Sequence, residues 1–286
     1  MKILIFGNRY KDGFPKGVYD LISRLKEMGA DLRFEKGFGL RINEVMNLEL
    51  KDDELFDEVD DANVALSMGG DGTLLRTASA IGCREIPILG INCGHLGFLT
   101  DVQDEELGQL ADVLMKGKYA TEKRIVLKTI TSDGRVMYAL NETAVHKQDI
   151  SSIIKIRTRV NGEELNSFAA DGLLVATPTG STAYSLSVGG PILMPDSHNL
   201  VIAAIASHSL NVRPLVVPDD FGIDLSVESR NGCYLMANDG NMSMMDNGIT
   251  LHIERAEFCV RIVRLDNHSF FKTLKKKLLW GAQTYE

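Results

Sequence analysis

The chain has 286 residues, of which 44% are hydrophobic and 24% are charged, and its formal net charge is −8. This length and composition are typical of globular proteins, and we expect two domains, each with its own core. No apolar run approaches the roughly 18 to 20 residues of a membrane span, and the acidic balance argues against nucleic-acid binding, which needs a broad basic surface. The amino-terminal apolar stretch is too short for a signal peptide, so we expect a cytoplasmic protein with no membrane partner. The cysteines form no C-x-x-C pair, and we therefore expect no zinc site.

The first part of the chain predicts strands that alternate with helices. Strand-like runs cover residues 2–6, 31–35, 63–66 and 86–92, and helical spacing of apolar residues covers 18–28, 42–50, 73–81 and 107–114. The acidic stretch 49–61 is most simply a solvated connection. This order predicts a parallel sheet with crossover helices, and we assign residues 1–120 to an α/β nucleotide-binding domain.

The apolar period changes from 3.6 to 2 at Lys123. Alternating runs predict strands near residues 125–129, 136–140, 154–160, 223–227 and 249–253. Asn161-Gly162 is a strong hairpin signal. Residues 121–266 are therefore expected to form a mainly β, sandwich-like domain.

Helical spacing returns in residues 267–286, where apolar side chains from Phe270 to Leu279 share one side and Lys275-Lys276-Lys277 lies among them. We expect this helical tail to pack back on the first domain. The lysine triplet is interpreted as a solvated helix face rather than a phosphate site, because that is the ordinary behaviour of charge runs.

A glycine-rich turn joins the strand at 63–66 to the helix at 73–81; its sequence is Ser67-Met68-Gly69-Gly70-Asp71-Gly72-Thr73. It lies at the carboxyl end of a strand, where ligands of open α/β sheets collect and where the free N–H groups of a helix start bind phosphate oxygens. Asp71 would repel phosphates unless it acts on a metal ion, a hydroxyl proton or a ribose hydroxyl. The alternative is a structural turn in which Asp71 caps the helix that follows.

Two stretches of the second domain carry polar groups that suit a nucleotide. Asn141 and Glu142 stand side by side at a strand end. An amide beside a carboxylate suits ribose hydroxyls or a base edge, although the pair taken alone would favour a surface turn. In residues 170–191 an apolar strand runs into a Thr-Pro pair that is followed by hydroxyl-bearing residues and Tyr184. Gly180-Ser181-Thr182 can start a helix with free N–H groups, and the ring of Tyr184 can stack on a flat heterocycle.

Taken together, these motifs resemble the NAD kinase family. The resemblance rests on Gly69-Gly70-Asp71-Gly72-Thr73, on residues 90–99, on Asn141-Glu142, and on residues 171–191 with the sequence Thr-Pro-Thr-Gly-Ser-Thr-Ala-Tyr. It spans nearly the whole chain in the family's order. The first motif alone is shared with diacylglycerol and sphingosine kinases, whereas the Thr-Pro-Thr-Gly-Ser-Thr-Ala-Tyr stretch singles out NAD kinases. The resemblance also implies the fold predicted above and a homodimer or homotetramer.

The resemblance implies transfer of the γ-phosphoryl group of ATP, with a divalent metal ion such as Mg²⁺, to the 2′-hydroxyl of the adenosine ribose of NAD. Asp71 would take the proton from that hydroxyl or help to place the metal, and no other metal ligand is assigned. The chain has no Walker A pattern, so another phosphate cradle is expected.

Further residues are implied to bind substrate. They are Gly69, Gly70 and Gly72 in the glycine-rich turn, Arg76 near the phosphates, Asn141 and Glu142 at ribose and adenine, Asp171 at the nicotinamide end, and Thr182, Ala183, Tyr184 and Ser187 around the adenine. Ser185, Leu186 and Asn241 are also implied to bind, with no particular part of the substrate assigned to them. Two other classes remain open. A lipid kinase of the diacylglycerol type would share the Asp71 turn but needs a membrane-facing segment, and a non-catalytic dinucleotide sensor would not need Asp71.

Overall fold

The computed structural model describes residues 1–11, 13–94, 96–100, 102–149, 152–265 and 269–281. The chain folds as two compact units: unit 1 contains residues 1–123 and the chain from Val260 onward, and unit 2 contains Arg124–Cys259. The assignment of nucleotide binding, NAD binding and a returning tail to residues 1–120, 121–266 and 267–286 stays a prediction. None of the described helices is long and apolar enough to cross a membrane.

The elements follow one another along the chain in this way. The helices are α1 Lys16–Glu27, α2 Lys36–Met46, α3 Asp71–Ile81, α4 Leu107–Met115, α5 Tyr184–Ser187 and α6 Phe270–Leu278. The strands are β1 Lys2–Gly7, β2 Asp31–Glu35, β3 Leu55–Phe56, β4 Val64–Gly69, β5 Ile88–Asn92, β6 Ala120–Thr131, β7 Val136–Ala139, β8 Glu142–His146, β9 Ile154–Val160, β10 Glu163–Ala170, β11 Gly172–Ala176, β12 Asn199–Ile205, β13 Leu215–Pro218, β14 Ile223–Glu228, β15 Cys233–Asn238, β16 Asn241–Asp246 and β17 Thr250–Arg264.

Unit 1 is built on a parallel sheet whose strand order is β3-β2-β1-β4-β5. The last part of β17 pairs in parallel with β5, through Ile262 and Ile88. All six residues of β4 are buried, as expected for a parallel strand that helices cover on both faces. The predicted α/β architecture with a parallel sheet is therefore confirmed.

The carboxyl ends of β4 and β5 place two loops at the same edge of this sheet. β4 continues to Gly69 and α3 begins at Asp71, so the predicted turn over residues 67–73 shrinks to Gly70 alone. The chain that leaves β5 at Asn92 forms the second glycine-rich loop, of which His95 lies outside the described residues. Because adjacent parallel strands end together, Asp71 faces a segment that lies about 27 residues further along the chain.

Two predictions for the connections of unit 1 were wrong. The helix expected at residues 42–50 is α2, which begins earlier because the Glu35 side chain accepts hydrogen bonds from the first backbone N–H groups, those of Gly37 and Phe38. It ends where Asn47 adopts a left-handed conformation, with φ of 51°. The acidic stretch 49–61 is not wholly a solvated connection, since Leu55 and Phe56 form β3 beside β2.

Unit 2 is a sandwich of two sheets, as predicted. One sheet contains β10, β9, β14 and the first part of β17, together with β6 and β7, and the other has the antiparallel order β13-β12-β11-β8-β15-β16. Buried side chains of both sheets, among them Leu225, Ile253, Val175 and Tyr234, form one core.

The second sheet is also buried on its other face. There Leu174, Ala176 and Val201 form a smaller apolar cluster, against which Val188 and Leu193 pack. The chain that follows β11 therefore lies across this face, which explains why β11 reads as a continuous apolar run rather than an alternating one. Residues 178–193 are thereby held against the sheet rather than projecting into solvent.

The carboxyl-terminal helix α6 belongs to unit 1. Leu274 is buried, and the ring of Phe270 lies 6.2 Å from the ring of Phe98, centroid to centroid. The helix is shorter than predicted, because Leu279 has a φ of 51° and ends it. Of the predicted tail, residues 267, 268 and 282–286 lie outside the described part of the chain.

Candidate active site

The carboxylate of Asp71 is held by the loop that follows β5. Its Oδ1 accepts hydrogen bonds from the backbone N–H groups of Leu99 (3.0 Å) and Thr100 (3.1 Å) and from the Thr100 hydroxyl (3.1 Å). Its Oδ2 accepts from the backbone N–H of Phe98 (2.8 Å) and lies 3.4 Å from Lys277 Nζ. Helix α3 is capped at Gly70 without a side-chain hydrogen bond. The helix-capping alternative for Asp71 therefore does not describe this carboxylate.

Gly97 makes room for this arrangement. A Cβ atom added at Gly97 would lie 1.9 Å from Asp71 Oδ1 and 2.5 Å from Thr100 Oγ1, distances that real atoms do not adopt. The position therefore excludes every side chain while the carboxylate keeps its place.

The other candidates of unit 1 surround the start of α3. Space is open around Gly70 and Gly72, whereas a Cβ at Gly69 would lie 2.3 Å from Thr73 Oγ1. Arg76 is exposed one turn later and donates to Thr73 Oγ1 at 3.3 Å. Arg76 also borders a cavity of about 180 Å³, which Arg9 helps to line. Unit 1 thus brings Gly69, Gly70, Asp71, Gly72 and Arg76 together.

In unit 2, Asp239 fixes the backbone around Asn141 and Glu142. Its carboxylate accepts hydrogen bonds from three successive N–H groups, those of Leu140 (2.7 Å), Asn141 (2.8 Å) and Glu142 (3.2 Å). The Asp239 N–H donates in return to the carbonyl of Glu142 (3.1 Å). Hydrogen bonds in both directions therefore tie the start of β8 to Asp239, and this corner is not a free surface turn.

The segment after β11 closes on the same corner. Thr177 donates through its hydroxyl to the carbonyl of Leu140 (2.6 Å) and through its N–H to the carbonyl of Asn141 (2.8 Å). A Cβ at Gly180 would lie 2.1 Å from the carbonyl oxygen of Asn141, so the two segments approach as closely as a glycine allows. Residues 180–182 form one short 3-10 turn, and α5 is a single turn rather than the start of a longer helix.

Among the carboxylates at this corner, Glu142 has the pKa that is shifted furthest from its ordinary value. Burial raises its pKa from the ordinary value of 4.5 to about 7, the nearby Asp239 adds to the increase, and a hydrogen bond from the Tyr184 backbone opposes it. Its Oε2 is buried and makes no hydrogen bond to any described residue. Such a group destabilises the free protein when it ionises, which is typical of residues kept for binding.

Tyr184 reaches from this corner toward the far end of β8. Its ring stacks on the ring of His146, with centroids 5.7 Å apart and an angle of 22° between planes. Burial raises the pKa of Tyr184, and the negative charges of Glu142 and Asp171 add to the increase. Asp171 precedes β11 at the end where Gly172 pairs with His146, so it lies a strand length from Glu142 and is ion-paired to Lys147 at 2.6 Å.

The remaining candidates of unit 2 differ in accessibility. Ser185 is buried, Tyr184 and Ser187 are exposed, and Thr182, Ala183 and Leu186 are intermediate. Thr182 donates to the carbonyl of Thr179 at 3.2 Å. Asn241 is exposed at the start of β16, opposite Asn238 in the hairpin that contains Asp239. These residues thus belong to three segments: the start of β8, residues 177–187, and the turn between β15 and β16.

No group of three or more histidine, cysteine, aspartate or glutamate side chains suited to a metal ion occurs among the described residues. The described part of the chain therefore builds no metal centre from its own side chains. Mg²⁺ in phosphoryl-transfer enzymes commonly uses substrate phosphates and one or two carboxylates instead.

Comparison with known proteins decides the family. The family model of the ATP-NAD kinase N-terminal domain matches residues 22–119, and that of the ATP-NAD kinase C-terminal domain matches residues 140–265. The chain belongs to the NAD kinase family. The resemblance seen in the sequence is confirmed, and the matches cover both the Asp71 loop and the corner around Glu142.

Relatives and solved structures of the NAD kinase family agree with this assignment. The chain is 45% identical to an NAD kinase of Bacteroides fragilis over 99% of both chains, and 43% identical to an NAD kinase of Porphyromonas gingivalis over 98% of both. An NAD kinase from Archaeoglobus fulgidus in complex with ATP is 26% identical, with a TM-score of 0.75, and the match covers 98% of this chain and 99% of that one. Yeast NADH kinase complexed with NADH has a TM-score of 0.90 at 21% identity, covering 100% and 89%, which shows a shared fold.

The sequence analysis missed three residues that shape this NAD kinase site. Thr100 directly follows the 90–99 motif, but a threonine in a glycine-rich loop does not by itself indicate a hydrogen bond to Asp71. Asp239 lies in Asp239-Gly240, a common hairpin-turn signal, but nothing local indicates that it binds backbone 97 to 99 residues away. Lys277 was interpreted as part of a solvated face, yet it lies beside Asp71.

We expect Gly97→Ala to impair catalysis, because the added methyl group must displace the Asp71 carboxylate. A misplacement of about 1 Å costs on the order of 10²-fold in rate, so NADP formation should fall by about that factor. Gly108→Ala in α4 is the matched control, since a Cβ there meets no atom within 4 Å. That variant should keep full activity and gain a little stability. Full activity of folded Gly97→Ala would show that the position of the carboxylate is unimportant.

We expect Glu142→Gln to change how stability depends on pH. Between pH 4.5 and 7 the folded protein holds a proton on Glu142 that the unfolded chain has lost, so this group lowers the free energy of unfolding as pH rises. Glutamine removes that penalty, which is at most roughly 3 kcal/mol. The difference in Tm, variant minus wild type, should become more positive by several degrees from pH 5 to pH 8.

The control for that measurement is Glu163→Gln, an exposed position at the start of β10. Its Tm difference should not depend on pH. A pH-independent difference for Glu142→Gln as well would mean that Glu142 ionises like a surface carboxylate.

Proposed function

We propose that this chain phosphorylates NAD with ATP, on the 2′-hydroxyl of the adenosine ribose, and releases NADP. The observation that carries the proposal is the Asp71 carboxylate, fixed at the carboxyl edge of a parallel sheet in a member of the NAD kinase family. The relatives at 43% to 45% identity are named NAD kinases, and a solved relative was obtained in complex with ATP.

Asp71 acts as the base through Oδ2. Oδ1 already accepts three hydrogen bonds, whereas Oδ2 accepts one backbone N–H and a long contact from Lys277. One lone pair of Oδ2 is therefore engaged only by this long contact, and it can take the hydroxyl proton once Lys277 leaves the carboxylate. A ribose hydroxyl is a poor nucleophile at neutral pH, and a positioned base contributes about 10²- to 10⁴-fold to such a reaction.

The start of α3 receives phosphates. Gly70 caps the helix without a side-chain bond, so the first N–H groups are available to phosphate oxygens, and the open space at Gly70 and Gly72 lets a ligand approach the backbone. Gly69 keeps this turn tight, and exposed Arg76 adds a positive charge one turn further on.

Residues of unit 2 bind NAD. Asn141 and Glu142, whose backbone Asp239 fixes, bond to ribose hydroxyls and the base edge, and Asp171 contacts the nicotinamide end. Tyr184 contributes an aromatic face to the adenine. Thr182, Ala183, Ser185, Leu186, Ser187 and Asn241 complete the contacts in this proposal.

Mg²⁺ enters this proposal with ATP, as part of the substrate, because the described residues form no metal cluster. We further propose a cytoplasmic homodimer or homotetramer, on the family resemblance alone. A lipid kinase of the diacylglycerol type is not favoured, since the family models that match are those of NAD kinases. A dinucleotide sensor would not need a fixed carboxylate at Asp71.

The acceptor is tested with the NAD analogue that lacks the adenosine 2′-hydroxyl. With ATP and Mg²⁺ the protein should convert NAD to NADP, measured by a coupled assay, and should transfer no phosphoryl group to the 2′-deoxy analogue. The analogue should still compete with NAD, because it loses one hydroxyl and keeps the other contacts. Phosphorylation of the analogue would place the reaction at another hydroxyl, and phosphorylation of diacylglycerol but not NAD would favour a lipid kinase.

Asp71→Asn tests the base. The variant should lose about 10²- to 10⁴-fold in turnover while its NAD affinity, measured by calorimetry, changes less than about threefold. Asparagine also turns an acceptor into a donor opposite backbone N–H groups, so Thr100→Val serves as the control. That variant loses one hydrogen bond to Asp71 but keeps the carboxylate, and its turnover should fall less than tenfold.

Two results would contradict the role of Asp71 as base. If the turnover of Asp71→Asn stays within tenfold of wild type, the substitution adds less than about 1.4 kcal/mol to the barrier, and this result would exclude Asp71 as the base. Loss of NAD affinity together with fast hydrogen exchange at Phe98, Leu99 and Thr100 would instead assign Asp71 a structural role in the loop.

A further inference from the structure

The lysine triplet in α6 is a sequence feature that the proposed function leaves unused. All three lysines lie in the last turn of the helix and are exposed. Their surroundings differ, however. Lys276 contacts Gln103 Oε1 at 3.4 Å, whereas Lys277 Nζ lies 3.4 Å from Asp71 Oδ2.

Lys277 is held in this position by two neighbours, Asp71 and Phe98. Its ammonium group lies 4.6 Å from the centre of the Phe98 ring, a cation–π distance. Phe98 also donates its backbone N–H to Asp71 Oδ2, and its ring contacts Phe270 at the start of α6. The lysine, the aromatic ring and the carboxylate thus form one connected group within unit 1.

A solvated helix face does not explain the position of Lys277 as well as its contacts with Phe98 and Asp71 do. Lysines near a helix carboxyl end are stabilised by the helix dipole wherever they point, and this effect applies to all three alike. It does not account for a single ammonium that lies over Phe98 and beside Asp71. The Lys277 side chain is 32% exposed and that of Asp71 is 28% exposed, so both remain open to a ligand.

Phosphoryl transfer at Asp71 needs positive charge close to that carboxylate. The transferred group carries negative charge on its oxygens, and the chain has no Walker A lysine to meet it. Two other cations of unit 1 have different partners: Lys11 donates to the carbonyl of Cys93, and Arg76 donates to Thr73 while its charge remains available to phosphates at the start of α3. Among the described residues, Lys277 is the cation that contacts the Asp71 carboxylate itself.

We propose that Lys277 is a catalytic residue whose ammonium group contacts the phosphoryl group during its transfer. This inference rests on the proposed function. In the reaction the ribose 2′-oxygen forms a bond to the γ-phosphorus of ATP, the bond between that phosphorus and the β,γ-bridging oxygen breaks, and its electron pair leaves with ADP. The hydroxyl proton goes to Asp71 Oδ2. Lys277 keeps its proton, moves from the carboxylate to the γ-phosphoryl oxygens when ATP binds, and stays in contact with them during the transfer.

The test compares alanine variants of the three neighbouring lysines. Lys277→Ala should lower kcat for NADP formation by about 10²-fold, the usual cost of removing one donor to developing charge. Lys275→Ala and Lys276→Ala should stay within about twofold of wild type. Lys277→Arg, which keeps the charge, should retain more activity than Lys277→Ala, and all four variants should have the Tm of wild type within a few degrees.

A second measurement separates contact with the phosphoryl group from a structural role of α6. Lys277→Ala should raise the Kd for ATP severalfold and leave the Kd values for ADP and NAD unchanged, because only ATP carries the γ-phosphoryl group. Added alkylammonium ion, such as ethylammonium, should partly restore turnover in Lys277→Ala. It should have no effect on Lys276→Ala.

The outcomes distinguish this inference from the function on which it rests. If wild type forms NADP and Lys277→Ala does so equally fast, Lys277 has no catalytic role and the proposed function stands. If Lys277→Ala loses affinity for ADP, ATP and NAD alike, or loses Tm, the residue only docks the helix. If wild type forms no NADP under any condition, the proposed function itself is wrong.

Discussion

The functional edge of unit 1 depends on one carboxylate that collects successive backbone N–H groups. The glycine-rich loop after β5 forms no regular secondary structure, so its backbone N–H groups need other acceptors. Asp71 provides them for Phe98, Leu99 and Thr100. The same bonds hold the carboxylate still, so the loop and the acid determine each other's position. This arrangement requires glycine at position 97, because no side chain fits there beside Asp71 Oδ1.

Unit 2 also contains a carboxylate that accepts hydrogen bonds from successive backbone N–H groups, at the start of β8. Asp239 accepts from the N–H groups of Leu140, Asn141 and Glu142 and thereby fixes the start of β8. Burial raises the pKa of Asp239, and the three N–H donors oppose that increase. Glu142 lies close enough for the two negative charges to repel each other. Two half-buried acids at one corner are unfavourable for folding, which is expected where a protein retains groups for binding rather than stability.

The sequence predicted what local patterns determine. Glycines around Asp71 and the alternation of strands and helices identified the carboxyl edge of the sheet, and the Thr-Pro-Thr-Gly-Ser-Thr-Ala-Tyr stretch identified the family. The roles of Asp239 and Lys277 were not predictable in this way, because their partners lie 97 to 99 and 206 residues away. The displaced start of α2 has a local cause, the capping side chain of Glu35, but glycines at positions 37 and 39 weaken the helical pattern there.

The order in which the chain is synthesised determines when unit 1 can be completed. Its first four helices and five strands emerge from the ribosome early, but Ile262, which pairs with Ile88, and α6, which carries Lys277, are translated only after the whole of unit 2. A nascent chain can therefore form most of the parallel sheet while one border of it is still unpaired. The group around Asp71 therefore gains the ammonium of Lys277, and with it the positive charge beside the carboxylate, only after the whole of unit 2 has been synthesised.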